Sequence, residues 1–259
     1  MRTIDINCDL GESFGNWKMG DDEAVIPEIT TANIACGFHA SDPVTMLNTA
    51  RLCLQHGVAV GAHPGLPDLL GFGRRTMAIT ADDAYAYVIY QAGALQALLR
   101  VVGESLHHIK PHGALYSIVY SDAELAESVA QAIAGFGMDQ MLYWPAPTTA
   151  ALPAAAKNHG TRVVGEIYPD LDYRPDGTLV LQRAKHATDV EKAYRKVRLW
   201  LAEGVVEALD GTRVAVEAES VCIHGDGPNA LEVVRAVRRA IEEAGCRIGP
   251  LDAPVTAAS

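Results

Sequence analysis

Long apolar runs are missing from this chain of 259 residues. None reaches the roughly 18 residues that a bilayer-spanning helix needs, so no membrane partner is expected. Basic residues are in deficit, 21 Lys and Arg against 32 Asp and Glu, for a net charge of −11. No Lys/Arg run overrides that balance, which argues against a nucleic-acid surface. Cysteines are few and odd in number: Cys8, Cys36, Cys53, Cys222 and Cys246, with no Cys-x-x-Cys. Three of them sit in apolar strand-like runs, where Cys is a small core residue. The N-terminus goes straight into a strand without an apolar signal segment. A reduced, cytoplasmic setting is the expectation. Three catalytic signatures are also lacking. There is no Gly-x-x-x-x-Gly-Lys-Ser/Thr, no Gly-x-Gly-x-x-Gly after a strand and no Gly-x-Ser-x-Gly. Acid–base or metal-assisted chemistry is expected ahead of serine acyl transfer.

What the chain does have is a repeated design. Four short apolar runs end in a histidine beside glycine or proline: Ile34-Ala-Cys-Gly-Phe-His39, Val58-Ala-Val-Gly-Ala-His63-Pro-Gly, Ile109-Lys-Pro-His112-Gly and Val221-Cys-Ile-His224-Gly-Asp. A fifth, Ile4-Asp-Ile-Asn-Cys-Asp9-Leu-Gly-Glu12, ends in carboxylates. Runs of this length read as buried parallel strands. The loop at a parallel strand's carboxyl end carries the ligand site in α/β sheets. Titratable groups from five distant places should therefore converge on one pocket.

Between the runs lie helical patterns with their own punctuation. Asp42-Pro43 opens a helix that Gly57 stops. Thr80-Ala-Asp-Asp83 and Ser121-Asp-Ala-Glu124 read as capping boxes, and Thr188 as a further cap. Asp210-Gly211 marks a hairpin between residues 205–208 and 214–217. The pattern predicts seven strand–helix units in one α/β domain, residues 1–250, with a disordered tail over 251–259. An open doubly-wound sheet and a closed barrel both fit. Strand-end polar residues spread around all the units favour the barrel.

Several residues carry the chemistry. Asp5, Asn7 and Asp9 share one strand face, which a barrel turns inward; polar side chains there must bind something or one another. His39 precedes a helix N-terminus, where the dipole lowers an imidazole pKa. Lys110 is an ammonium at the end of a buried strand. It needs a carboxylate partner, with Asp5, Asp9 and Glu166 available, or a substrate oxygen to orient. Gly71-Phe-Gly-Arg74-Arg75 is a hinged loop whose guanidinium suits a carboxylate or phosphate. His224-Gly-Asp226-Gly-Pro228 offers hydrogen bonds before the last helix. His56, His107, His108, His159 and His186 lack the strand-end context.

Together these segments resemble the LamB/YcsF family of lactam utilisation proteins. The matching blocks are Asn7-Cys-Asp-Leu-Gly-Glu12, Ala32-Asn-Ile-Ala-Cys-Gly-Phe-His-Ala40, Gly61-Ala-His-Pro-Gly65, Gly71-Phe-Gly-Arg74, Lys110-Pro-His-Gly-Ala-Leu-Tyr116 and Cys222-Ile-His-Gly-Asp226. The resemblance implies a distorted (β/α) barrel of about seven parallel strands, like those of glycoside hydrolases and deacetylases. It implies ATP-dependent opening of 5-oxo-L-proline to L-glutamate, with ATP as co-substrate of a complex with two further 5-oxoprolinase subunits, B and C. With no nucleotide loop in this chain, the ATP chemistry is expected to fall largely to those partners. A homo-oligomer is compatible with the sequence, which leaves the oligomeric state open. One departure stands out: the family's Glu-x-Phe-Ala-Asp-Arg-x-Tyr reads Glu166-Ile-Tyr-Pro-Asp-Leu171-Asp-Tyr173, so the arginine is Leu171. Glycine is also commoner in the family where Ser41 stands.

On this reading Asp9 or Glu12 with His39 activates water, and His63, His112 and Lys110 stabilise an oxyanion. Arg74, Asn7, Glu166, His224 and Asp226 bind substrate. Two alternatives stay open. Asp9, His39, His63 and His112 could hold one divalent metal in an amidase or deacetylase acting on another lactam or amide. The chain could also be a non-catalytic lactam-binding subunit.

Overall fold

In the computed structural model, seven of the apolar runs lie side by side in chain order. They are β1 (Thr3–Leu10), β2 (Thr31–Ala35), β3 (Ala59–His63), β4 (His108–Ile109), β5 (Met141–Pro145), β6 (Arg162–Ile167) and β7 (Ser220–His224). The structure describes residues 1–137, 140–147, 149–180 and 186–252. Every neighbouring pair among the seven is parallel, and β7 returns to pair with β1, Asp5 opposite Ser220 and Asp9 opposite His224. The sheet is thus a closed seven-stranded barrel with helices packed around it, the closed form of the two arrangements that the alternation allows.

The strands are buried on both faces, but the two faces differ. Outward side chains such as Ile4, Ile6, Ile34, Val60, Ile109, Leu142 and Ile223 join the helices in the main apolar core. Inward positions are largely polar. Asp5 accepts from the Thr30 and Ser220 hydroxyls, each at 2.6 Å, and also from Thr31. Asn7 donates to Ser220 at 2.7 Å and to Glu166 at 2.9 Å. Asn33 donates to Asn7 at 2.7 Å and to Asp9 at 2.8 Å. The Asn7 and Asn33 amides and the Thr30, Thr31 and Ser220 hydroxyls thereby find acceptors, which offsets their loss of water. Asp5 is therefore a brace between β1, β2 and β7 at the lower end of the barrel. A small apolar plug of Met141, Tyr143, Val164 and Leu251 shares the interior. The chain stays packed through Leu251, whose carbonyl accepts from His107 at 2.8 Å. The rest of the expected tail, residues 253–259, lies outside the described residues.

Local signals set most element ends. The Thr80–Asp83 capping box opens Ala81–Val101, and Asp42 accepts from Val44 and Thr45 at the head of Pro43–Gln55. Two caps sit one residue later than expected. Asp122, not Ser121, caps Ala123–Ala134, because Ser121 closes a preceding helix, Gly113–Ser121, that the sequence pattern did not reveal. Asp189, not Thr188, caps Val190–Glu203, since its carboxylate reaches the Lys192 amide. The 205–217 hairpin forms as Val205–Glu207 against Arg213–Ala215. A second short hairpin, Asp172–Tyr173 against Leu179–Val180, lies in the loop after β6.

Candidate active site

The carboxyl rim of the barrel gathers the strand-end residues. Asp9 comes from β1, with Glu12 in the turn beyond it, and His39 follows β2. His63 ends β3, Lys110 and His112 follow β4, Glu166 lies in β6 and His224 ends β7. The imidazoles of His39 and His112 stack with centroids 3.7 Å apart and planes 8° from parallel. His63 stands edge-on to both, at 5.5 and 4.8 Å. Glycine makes this crowding feasible. A Cβ on Gly73, whose φ is +64°, would lie 2.6 Å from the His39 Cβ and 2.8 Å from the His112 Cδ2. Such a contact is sterically forbidden, and the backbone conformation itself favours glycine.

Below the imidazoles sits one buried cation. Lys110 Nζ lies 3.2 Å from Asp9 Oδ1, 3.3 Å from Glu166 Oε1, 3.3 Å from Asn7 Oδ1 and 2.8 Å from the Cys222 sulfur. Burial works against its charge, yet Asp9, Cys222 and Glu166 around it hold Lys110 well above the usual ammonium range. Burial would likewise raise Asp9, but His63 and Lys110 beside it keep its carboxyl well below the usual range. Glu12 goes the other way: burial, with Asp226 and Asp9 nearby, pushes it well up. Burial also keeps His39 and His112 neutral, and the neighbouring imidazoles reinforce the effect. Asp9 Oδ2 faces His63 Nε2 at 3.5 Å and His224 Nε2 at 3.7 Å.

Over this floor opens a cavity of about 150 Å³, bounded by Asp9, His63, Lys110 and His224 and walled on its apolar side by Trp144 and Leu171. Arg74 reaches its edge, 3.0 Å from Asp226 and with its guanidinium 4.7 Å above the Phe72 ring. Its neighbour Arg75 turns away and pairs with Asp68, so only one of the two loop guanidiniums faces the cavity. Lys196 fastens the opposite wall, donating to the carbonyls of Tyr168, Pro169 and Leu171.

A family model for LamB/YcsF matches residues 4–256. The chain belongs to the LamB/YcsF family. It is 44% identical over 250 residues to a Bacillus cereus protein named as the A subunit of 5-oxoprolinase, covering 96% of this chain and 98% of that one. A Symbiobacterium thermophilum protein of the same name is 47% identical over 251 residues, 96% of this chain and 95% of its own. The crystal structure of a lactam utilization protein from Thermus thermophilus superposes with a TM-score of 0.88 at 45% identity, covering 97% of this chain and all of that one.

Within this LamB/YcsF barrel, the eleven residues given catalytic or binding roles from the sequence lie at or just below the carboxyl rim, Asn7 and Glu166 one layer down, while Asp5 lies at the lower end. Others were overlooked. Asn33 donates to Asp9 from β2. Asp170 holds His224 Nδ1 at 2.8 Å and so orients its ring. Tyr168 donates to Glu166 at 2.5 Å. His108, set aside for want of a strand-end context, is fully buried inside the barrel with Nε2 2.5 Å from Asn33 Oδ1. Gly61 makes its place, since a Cβ there would lie 2.1 Å from the His108 ring. The available signal was the inward alternation along β2 (Thr31, Asn33). In a two-residue strand such as β4, no periodicity can show.

The expected metal set needs one correction. The donor atoms that lie within 4.8 Å of one another belong to Glu12, His39, His63 and His112. Asp9 is not in that group; its Oδ1 accepts from Lys110 and Asn33.

Proposed function

We propose that this chain is the lactam-opening component of an ATP-dependent 5-oxoprolinase, acting on 5-oxo-L-proline with two partner subunits, B and C. The observation that carries the reading is the Asp9–Lys110–His63 constellation under a cavity sized for one small ring. The near-full-length likeness to proteins named as the A subunit of 5-oxoprolinase supports it.

A five-membered lactam is a poor electrophile, so its carbonyl must be activated. ATP supplies this if its terminal phosphoryl passes to the lactam oxygen and ADP leaves. Water then adds to the ring carbon, losing its proton to Asp9. The C–N bond breaks with its electron pair going to nitrogen, which takes the proton from Asp9 and that of the new hydroxyl and leaves as an ammonium. The acyl phosphate left behind takes a second water and yields glutamate and inorganic phosphate. Lys110 faces the oxygen that gains charge. Arg74 at the cavity edge receives the substrate carboxylate. Nucleotide binding is assigned to the partners, because this chain carries no phosphate loop.

The mouth is also where partners would have to meet the lactam. Trp17 and Met19 in the loop after β1, with Leu69 and Leu70 after β3, are exposed large apolar side chains at that rim. An unshielded Trp at a loop tip is typical of an interface anchor.

The test is glutamate release from 5-oxoproline and ATP by this chain with its partners. Lys110→Met should lower kcat by about 10²–10³, the usual effect of removing one oxyanion donor. Full turnover by that variant would end the assignment.

A further inference from the structure

We propose that Glu12, His39, His63 and His112 form a binding site for one divalent first-row transition cation of the Zn²⁺ type. The proposal goes beyond the lactam reading and does not need it.

Proton accounting leads to it. A backbone carbonyl can only accept a hydrogen bond. His63 Nδ1 lies 2.7 Å from the Lys110 carbonyl oxygen, and His112 Nε2 lies 2.8 Å from that of Phe72. Each of these nitrogens therefore carries its ring's proton. The opposite nitrogens, His63 Nε2 and His112 Nδ1, face each other at 2.9 Å. In neutral rings both present lone pairs, which repel unless something positive lies between them. Metal–nitrogen bonds of about 2.0–2.1 Å in tetrahedral geometry set donors about 3.3 Å apart, a small rotation from the separation found. An imidazole whose far N–H rests on a backbone carbonyl is also the usual posture of a metal ligand.

His39 points the same way independently. It is fully buried, and neither of its ring nitrogens has a hydrogen-bond partner among the described residues. Buried, unpartnered polar nitrogens are rare and call for an occupant. A ring lying flat on His112 cannot aim its lone pair at a shared ion, so binding requires His39 to tilt. Glu12 supplies the carboxylate of the set, and all four donor atoms fall within 4.8 Å. Three imidazoles and one carboxylate select Zn²⁺, Co²⁺, Ni²⁺ or Fe²⁺ over Mg²⁺ and Ca²⁺, which prefer all-oxygen shells. The competing occupant is a single proton shared between His63 and His112, and the experiment separates the two.

The full-length chain is stripped with a chelator, desalted, and titrated with ZnCl₂ by calorimetry and with CoCl₂ by visible absorption. One saturable equivalent is expected, with intense Co²⁺ ligand-field bands of a four- or five-coordinate site. His63→Ala and His112→Gln should each weaken binding at least about tenfold, whereas His159→Ala on the surface should leave it unchanged. No saturable binding, or binding that the His63 and His112 variants retain, overturns the site in favour of the shared proton. Should the variants misfold, the wild-type spectrum decides. Weak bands like those of the hydrated ion overturn the proposal, and intense bands sustain it. Turnover is not measured, so failure of the lactam reading would leave this result standing.

Discussion

Ser41 sits where the backbone turns left-handed, at φ 74°. For a residue with a Cβ that conformation costs roughly 1–2 kcal/mol. Glycine avoids the clash but loses about 0.5–1 kcal/mol of chain entropy. Ser41→Gly should therefore stabilise the protein by about 0.5–1 kcal/mol, read as a higher urea midpoint with unchanged slope. An unchanged or lower midpoint would mean that the hydroxyl is worth more than its 3.4 Å contact with the Asp42 carbonyl suggests. The family's glycine at this position thus has a backbone reason. At this scale the sequence was readable where chemistry and punctuation coincided. His39, His63, His112 and His224 stood out because an apolar run and a Gly or Pro flanked each one. His108 and Asn33 did not, because their roles depend on which way a strand faces in a closed barrel. Asp170 escaped because it acts through His224 across 54 residues of chain.

Among the elements, the helix Pro43–Gln55 depends on a single carboxylate. Asp42 accepts from the amides of Val44 and Thr45, from the Thr45 hydroxyl and from the Gly15 amide in the loop after β1. One side chain thereby ties two rim loops together. The Gly15 amide and then Thr45 hold its pKa down to about 2. Because the folded value lies below the unfolded one of about 3.9, the contribution is complete above about pH 4 and is lost as pH falls through about 2. Asp42→Ala should cost about 1–2 kcal/mol at pH 7. The gap from wild type should narrow as the pH is lowered from 4 towards 2, in urea melts across that range. A deficit independent of pH would place the loss in packing. Element limits were less legible than element types. Ser121 and Thr188 looked like caps because Ser or Thr three residues before a carboxylate fits the box pattern. In each case the adjacent Asp won, as a charged acceptor at a helix N-terminus also meets the dipole.

At the scale of the whole molecule, the two ends of the barrel are finished differently. The lower end is stoppered by Leu251, while the rim presents Trp17 and Leu70 at 72% and 94% exposure. If partner subunits seat on that rim, replacing both residues with Ser should weaken association by about tenfold or more, with fold and Tm unchanged. Pull-down of purified partners at graded concentrations measures it, and undiminished association would move the interface elsewhere. Seven strand–helix units could be counted from the sequence, and the polar residues at their strand ends favoured the barrel that forms, but the closing pairing itself has no local signal. The difference between an open sheet and a barrel lies in one pairing between the chain's extremes, which no local pattern announces.

That pairing has a cost during synthesis. β1 leaves the ribosome first, yet its neighbour β7 follows more than 200 residues later. Until then both flanks of the growing sheet present unpaired backbone edges to other nascent chains. Asp9 also waits for His224 throughout that interval. Fragments ending before Ser220 should therefore accumulate as aggregates, and folding should be slow for a molecule of this size.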